Sequence, residues 1–371
     1  MEPYRMIISG GGTGGHIFPA ISIANAFKSR FPDAEILFVG AKDRMEMERI
    51  PAAGYRIVGL PVTGFYRKKK LRNIGVILKL IQSLGIARRV IRDFRPDVVV
   101  GVGGYASGPT LWMASLMGIP TLIQEQNSYA GVTNKYLAKR VTKICVAYEG
   151  MERFFPAHKI VLTGNPVRND LEYMSADREE ALNYFQLRPD KKTALVIGGS
   201  LGARNINRGI GKQLDILLDA GIQVIWQTGR IYYDAVRQQL EGKDTKKALW
   251  YADFISRMDY AYAAADVVVS RAGAGSISEL CILKKPAILI PSPNVAENHQ
   301  MKNAMAIVVK NGAIIIDDSA AEECLCKQIL DLINDRIKMQ SLSKAIGLLA
   351  KHQSAELIVN EIESIIKSKS R

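Results

Sequence analysis

Twice in this chain a short apolar run stops at a cluster of glycines and gives way at once to a helical pattern. The first run is Met6-Ile7-Ile8, followed by Gly10-Gly11-Gly12-Thr13-Gly14-Gly15-His16 and a helix expected from about Phe18. The second is Thr193-Ala194-Leu195-Val196-Ile197, followed by Gly198-Gly199-Ser200-Leu201-Gly202-Ala203. A strand, a glycine turn and a helix N-terminus together make an anion cradle. Glycine lets backbone N–H groups approach closely, and the helix dipole favours negative charge there. Because the unit recurs, the chain is expected to hold two nucleotide-fold halves in tandem. Its 371 residues suit two cores better than one.

The rest of the pattern agrees with a parallel α/β architecture. Strands are expected near 6–9, 36–39, 57–60, 98–102, 121–124 and 144–147, with helices near 18–30, 44–52, 72–93, 109–117 and 133–140 between them. The second series places strands near 193–197, 223–227, 250–254, 267–270, 287–290 and 313–316. Its helices fall near 205–219, 232–240, 259–264, 276–283 and 300–310, and three more close the chain near 321–334, 337–350 and 354–367. The turn-rich break at Thr163-Gly164-Asn165-Pro166-Val167-Arg168 divides a first domain, 1–164, from a second, 165–349. A closing helix over about 350–371 can pack back on the first. Open α/β sheets bind ligands outside the carboxyl ends of their strands, so both glycine turns are expected to face a cleft between the halves.

His16 sets the first turn apart, since it puts a near-neutral proton acceptor beside a bound anion. The turn is not a P-loop, because it has no Gly-Lys-Ser/Thr. It does not fit a dinucleotide fold well either. The second strand ends in Gly40-Ala41, with Asp43 late for a ribose-binding acid. A tight turn whose histidine merely caps the helix stays open. Gly101-Val102-Gly103-Gly104-Tyr105-Ala106-Ser107-Gly108-Pro109 is a third glycine turn, either a second phosphate site or a turn with Pro109 opening a helix. Gln124-Glu125-Gln126-Asn127 ends a strand with four polar side chains, as a site or as a hydrogen-bonded loop anchor. Arg271-Ala272-Gly273-Ala274-Gly275 offers close backbone approach, and Glu279 suits ribose hydroxyls or simply the helix dipole, worth about 0.3–1 kcal/mol. His299 and Gln300 follow a polar loop, where they can cap a helix or read sugar hydroxyls.

Net charge is +14 and is unevenly placed: residues 1–164 hold 23 Lys/Arg against 11 Asp/Glu. Arg67, Lys68, Lys69, Lys70, Arg72, Lys79, Arg88, Arg89, Arg92 and Arg95 crowd one segment, with Phe65, Tyr66, Leu71, Ile74, Val76, Ile77, Leu78, Leu80 and Ile81 among them. Such a segment seeks a polyanion, either an anionic membrane surface or nucleic acid. No apolar run reaches the roughly 18–20 residues that span a bilayer, and the start of the chain does not read as a signal peptide. Cys145, Cys281, Cys324 and Cys326 lack metal or framework spacing and are expected to be reduced thiols. No Asp-x-Asp motif is present, so no metal site and no cofactor are expected.

In this order, Gly10–His16 with Phe18-Pro19, Gly103-Gly104-Tyr105-x-Ser107-Gly108-Pro109, Glu125-Gln126-Asn127, Gly164–Arg168, Gly198-Gly199-Ser200-x-Gly202-Ala203, Arg271-x-Gly273-Ala274…Glu279 and His299-Gln300…Asn303-Ala304 form a specific set. On them the chain resembles the MurG family, bacterial UDP-N-acetylglucosamine:lipid I N-acetylglucosaminyltransferases of peptidoglycan synthesis. The resemblance covers nearly the whole chain. It implies two Rossmann-like domains facing across a cleft, the GT-B glycosyltransferase fold, with inverting transfer from UDP-N-acetylglucosamine to lipid I. By motif position it implies uracil at the backbone of Ile255, ribose at Glu279, and the diphosphate near Ser200 and Arg168. It implies sugar contacts at Asn127, Gln300, the Ala274 region, Thr13, Gly14 and Gly15. The acceptor diphosphate is expected at Gly12, Gly103, Gly104, Tyr105 and Ser107. His299 stands where relatives carry glutamine and is left out of the site. His16 is the expected general base, with Glu125 as the alternative or as the residue that orients the base. The lipid-linked acceptor makes the anionic cytoplasmic face of the bacterial plasma (inner) membrane the expected peripheral location, with other cell-wall synthesis proteins as partners. An acceptor on another lipid is the nearest alternative. A dinucleotide oxidoreductase and a nucleic-acid binder fit less well, since neither explains the paired turns. Nucleic acid is not an expected partner.

Overall fold

Near-continuous apolar runs along the central strands bury both sheet faces, as parallel sheets require. The computed structural model of the chain describes residues 3–64, 73–199, 201–245 and 247–369. They form two compact units, Met1–Arg168 with His352–Arg371, and Asn169–Lys351.

The first unit carries β1 (Arg5–Ser9), α1 (Gly14–Arg30), β2 (Glu35–Ala41), α2 (Glu46–Ala52), β3 (Arg56–Leu60), α3 (Asn73–Phe94), β4 (Val98–Gly101), α4 (Ser107–Leu116), β5 (Thr121–Glu125), α5 (Val132–Leu137), β6 (Lys143–Val146) and β7 (Ile160–Leu162). Its parallel sheet has the order β3-β2-β1-β4-β5-β6-β7. Ile8, Phe38 and Val100 enter one face of the core, and Ile7, Val39 and Val99 the other. Residues 165–168 group with this unit, past the expected break at 164. Asn165 explains why: its side chain is buried against Gln124 and Gln126.

The second unit carries α6 (Asn169–Glu172), α7 (Arg178–Tyr184), β8 (Thr193–Ile197), α8 (Arg204–Asp219), β9 (Gln223–Gln227), α9 (Tyr233–Leu240), β10 (Leu249–Ala252), α10 (Met258–Ala264), β11 (Val267–Ser270), α11 (Ala274–Ile282), β12 (Ala287–Leu289), α12 (His299–Val308), β13 (Ile314–Ile315), α13 (Ala321–Asn334) and α14 (Arg336–Gly347). Its sheet runs β10-β9-β8-β11-β12-β13, again parallel. Trp226 is fully buried in its core, where the indole N–H donates to Asn207 Oδ1 at 3.0 Å.

The last helix, α15 (Ser354–Lys369), returns to the first unit and packs on α1. Ile358, Val359, Ile362, Ile365 and Ile366 are buried there. At about 1.5–3 kcal/mol for each buried side chain, this stripe holds the helix. The ion pairs at its edge, Arg30–Glu363 and Lys143–Glu361, add little.

Three local differences from the expected pattern matter. Helix α1 begins at Gly14, not near Phe18, so the last glycines of the first turn are already its first turn. Likewise α4 begins at Ser107, and Pro109 sits inside its first turn, where an N–H has no intrahelical partner anyway. Strand β7 and the short helices α6 and α7 lie outside the expected elements.

Candidate functional site

Strand order reverses between β1 and β4, so the loops leaving these strands lie side by side at the carboxyl edge of the first sheet. They touch through backbone. A Cβ on Gly104, whose φ is +85°, would lie 2.4 Å from the Gly11 carbonyl oxygen. His16, half-buried in the first turn of α1, holds its Nδ1 3.0 Å from that same oxygen. A proton on Nδ1 donates to it, which leaves the lone pair on Nε2. The Nε2 edge lies over Gly103, where a Cβ would come within 2.8 Å.

At the end of β5, Glu125 is buried. Its Oε1 accepts from the Asn127 amide at 3.1 Å and from Asn127 Nδ2 at 3.3 Å, and its Oε2 from the Gly131 amide at 2.9 Å and Asn134 Nδ2 at 2.8 Å. Each oxygen already takes two N–H donors. The geometry makes Glu125 an anchor of the 126–134 loop. Gln124, Gln126 and Asn165 are loop anchors as well: Gln124 Nε2 donates to Asn165 Oδ1 at 3.0 Å, and Gln126 Nε2 to the Val102 carbonyl at 2.7 Å. Asn127 is half-buried, with its side chain aimed by Glu125.

Two of the expected acceptor contacts are already engaged within the protein. The Gly12 amide donates to Glu46 Oε2 at 2.9 Å, so it faces into the protein and not toward a phosphate. The Ser107 hydroxyl is buried between the carbonyls of Ser9, at 2.6 Å, and Gly103, at 2.9 Å, which leaves only the Ser107 backbone for a ligand. Tyr105 is exposed, and its ring lies against Gly64. Thr13 caps α1 without a side-chain cap bond, and Gly14 and Gly15 supply the first amides of that helix. Arg168, half-buried, closes the first unit.

The second sheet reverses between β8 and β11, which brings the Gly198–Ala203 and Arg271–Gly273 turns to its carboxyl edge. Gly202, at φ +79°, packs so closely that a Cβ would sit 2.1 Å from the Thr228 carbonyl oxygen, whereas a Cβ on Gly199 would meet nothing within 4 Å. Ser200 lies outside the described residues. Gln227 links the turn to the loop after β10: its Nε2 donates to Gly199 O at 3.1 Å, and its Oε1 accepts from the Ile255 amide at 3.0 Å. The Ile255 amide is therefore committed, and only its carbonyl is left to read a base. Glu279 lies in the second turn of α11 and accepts from the Tyr262 hydroxyl at 2.8 Å, while Ala274 is the first residue of that helix. Arg271 bonds the Ile290 carbonyl at 3.1 Å and reaches Asp318 at 2.6 Å. Gln300 Oε1 accepts from the Ser292 amide at 2.8 Å, which turns the other end of its amide away from that bond.

Sequence reasoning missed Glu46, Asn134 and Gln227. Glu46 and Gln227 hold backbone groups, and Asn134 holds the Glu125 carboxylate. Their signal is faint, since each is one polar residue beside others of its kind. Among the described residues no group of three or more His, Cys, Asp or Glu is placed to hold a metal ion.

Residues 6–146 match the model of the glycosyltransferase family 28 N-terminal domain, and residues 193–361 that of its C-terminal domain. A protein of Parabacteroides distasonis named UDP-N-acetylglucosamine–N-acetylmuramyl-(pentapeptide) pyrophosphoryl-undecaprenol N-acetylglucosamine transferase is 62% identical over 369 residues, the full length of both chains. The chain belongs to this MurG family. A Porphyromonas gingivalis protein of the same name is 55% identical over 99% of this chain and 97% of its own. The crystal structure of Acinetobacter baumannii MurG shares the fold, with a TM-score of 0.78 at 24% identity, over 98% of this chain and 100% of that one. The paired parallel sheets are thus those of the MurG and GT-B glycosyltransferases.

Proposed function

We propose that this MurG-family enzyme transfers N-acetylglucosamine from UDP-N-acetylglucosamine to lipid I, giving the lipid II of peptidoglycan synthesis. One observation carries the reading: 62% identity held across the full length of a transferase of that name. The hydroxyl of the acceptor sugar attacks the anomeric carbon of the donor in line with the leaving UDP. The new C–O bond forms as the bond to the phosphate oxygen breaks, and configuration inverts from α to β. His16 Nε2 takes the hydroxyl proton. General-base help of this kind is worth about 10²–10⁴-fold.

In the second unit, the Gly198–Ala203 turn and the N-terminus of α8 receive the charge of the departing UDP; Ser200 of that turn and Arg168 of the first unit are assigned to the diphosphate. The Glu279 carboxylate accepts from ribose hydroxyls, and the Ile255 carbonyl reads the uracil. Gln300, the Ala274 turn and, from the first unit, Asn127, Thr13, Gly14 and Gly15 are the groups assigned to the sugar. The acceptor diphosphate is assigned to the Gly103–Gly104 turn, the Tyr105 backbone and the first amides of α4. The test is direct: purified protein, labelled UDP-N-acetylglucosamine and a lipid I analogue should yield a β-linked disaccharide. Transfer only to a different polyprenyl-linked sugar would instead support the other-acceptor alternative.

A peripheral membrane surface on the first unit completes the proposal. No helix among the described residues is long and apolar enough to cross a membrane. Helix α3 buries Val76, Ser83, Ala87 and Ile91 yet exposes Ile74, Ile77, Leu78 and Ile81, a stripe at helical spacing with Leu78 63% exposed. It packs beside α4, whose exposed Leu116 and Trp112, stacked under Arg140 at 4.0 Å, extend the apolar surface. Lys79, Arg88 and Arg89 rim it, while the expected cluster at 65–72 lies outside the described residues. Apolar burial plus about 1 kcal/mol for each basic residue suits an anionic leaflet. Binding to vesicles of anionic lipid should fall about tenfold or more with Leu78→Asp and Ile81→Asp together, and should weaken with salt. Binding that ignores both would remove this surface from the proposal.

A further inference from the structure

Glu46 is an acid of the first unit that reaches into the glycine turn. It opens α2, is buried, and its Oε1 accepts from the Ala41 amide at 2.9 Å while its Oε2 accepts from the Gly12 amide at 2.9 Å. The chain is shaped around it. A Cβ on Gly11 would lie 2.1 Å from Oε1, and one on Gly40 would lie 2.7 Å from the Glu46 Cγ. The N–H that it binds and the carbonyl that holds His16 belong to one peptide unit. Glu46 Oε2 accepts from the nitrogen of Gly12, and the other end of that amide, Gly11 O, accepts from His16 Nδ1 at 3.0 Å.

We propose that Glu46 is a positioning residue that acts on the His16 imidazole through the Gly11–Gly12 peptide bond. The arrangement is a carboxylate–histidine pair with an amide inserted. A charge-assisted bond to the amide N–H draws electron density toward the carbonyl, and chained hydrogen bonds strengthen one another by roughly 10–30% per bond. The carbonyl of Gly11 thereby fixes the proton on Nδ1 and leaves Nε2, whose edge lies over Gly103, as the acceptor nitrogen. When Nε2 takes the proton of the acceptor hydroxyl, the Nδ1–H···O bond becomes a bond from a cation, and the carboxylate two bonds away compensates that charge. No proton reaches Glu46, because the Gly12 N–H stays in place throughout. Gly104, with no side chain to push on Gly11 O, keeps the relay in register. The inference rests on His16 being the base.

The first test uses the native full-length enzyme labelled with ¹⁵N-histidine, with His16→Ala identifying the signal among those of His158, His299 and His352. The neutral His16 ring should show its proton on Nδ1, and a proton on Nε2 would overturn the proposal. The second test is Glu46→Gln, which keeps the shape, removes the charge and can accept from only one of the Ala41 and Gly12 amides, since its Nε2 is a donor. It should lower kcat about 10- to 100-fold, the size of effect seen when the partner behind a metal-bound histidine is lost. Donor KM should stay within about twofold. In a His16→Ala background the same substitution should change the residual rate by less than about twofold. An equal loss with and without His16, or a loss confined to KM, would reduce Glu46 to a structural anchor. If Glu46→Gln does not fold, the native spectrum still decides. Near-normal turnover in His16→Ala alone would sink the base assignment itself, and that outcome is separate from any result with Glu46.

Discussion

The two glycine turns start alike in sequence and end as different devices. In the first unit the seat beneath the turn is filled by Glu46, and Glu125 is buried at the end of a neighbouring strand. That edge of the first sheet carries two buried carboxylates, and Glu46 is one peptide unit away from the His16 imidazole. In the second unit the equivalent edge carries Arg271, partly buried against Asp318, and the space over Gly199 is open. A turn already holding a carboxylate is a poor place for a phosphate, and an open glycine turn before a helix N-terminus is a better one. In the proposed reading, the same strand–glycine–helix plan serves a proton acceptor on one sheet and an anion seat on the other. What separates them is one side chain packed under the loop.

The sharpest way to break this contrast is His16→Ala. It should cut kcat by about 10²–10⁴-fold while UDP affinity, measured by calorimetry, stays within about twofold. Matching losses in both would mean that the first turn also binds the donor nucleotide. Next is Gly202→Ala. A methyl group at φ +79° and 2.1 Å from the Thr228 carbonyl forces the second turn to move, at a cost of about 1–3 kcal/mol in backbone strain. UDP binding should weaken about tenfold or more, while the His16 ring signal stays where it is in the native enzyme. A change in kcat at saturating UDP-sugar, with affinity intact, would assign the second turn to chemistry instead of binding.

Much of this was legible in the residues. Buried parallel strands are apolar runs on both faces, so 6–9, 98–101 and 193–197 declare themselves. The edge strand β7 does not, because it is half-exposed and only three residues long. The start of α1 was displaced because glycines read as turn, yet Gly14 and Gly15 are held helical by Thr13, whose carbonyl accepts from the His16 and Ile17 amides. His16 was visible by its position. Glu46 was not, since Asp43 and Glu48 stand near it and only the fold shows which acid turns inward. The same holds for Ile255, whose amide is claimed by Gln227 from 28 residues away. Pairwise commitments of backbone groups are set by packing, and no local pattern encodes them.

The contrast extends to the opposite end of the second sheet, where charge is buried far from the turns. Lys285 lies just before β12, and its Nζ donates to the Ala265 carbonyl at 2.8 Å. Desolvation pushes its pKa down to about 8, with Asp266 opposing that shift and Arg178 adding to it. Arg178 and Asp266 are paired at 2.9 Å at the amino ends of the strands. Below pH 8 both folded and unfolded chains carry the proton, and the cost of burying the cation is fully present. Between about pH 8 and the usual lysine value near 10.5 the folded state loses its proton first, so stability rises with pH through that window. Lys285→Met should be more stable than the parent at pH 7 by about 1–3 kcal/mol, and this advantage should shrink as pH climbs from 8 to 10.5. Urea unfolding in a Trp112→Phe background, which leaves Trp226 and Trp250 to report on the second unit, measures it. A constant difference across the window would mean that Lys285 is solvated in the folded state. Because this cluster sits at the amino ends of the strands, kcat should be unchanged, and a loss of turnover would show that the two ends of the second sheet are coupled.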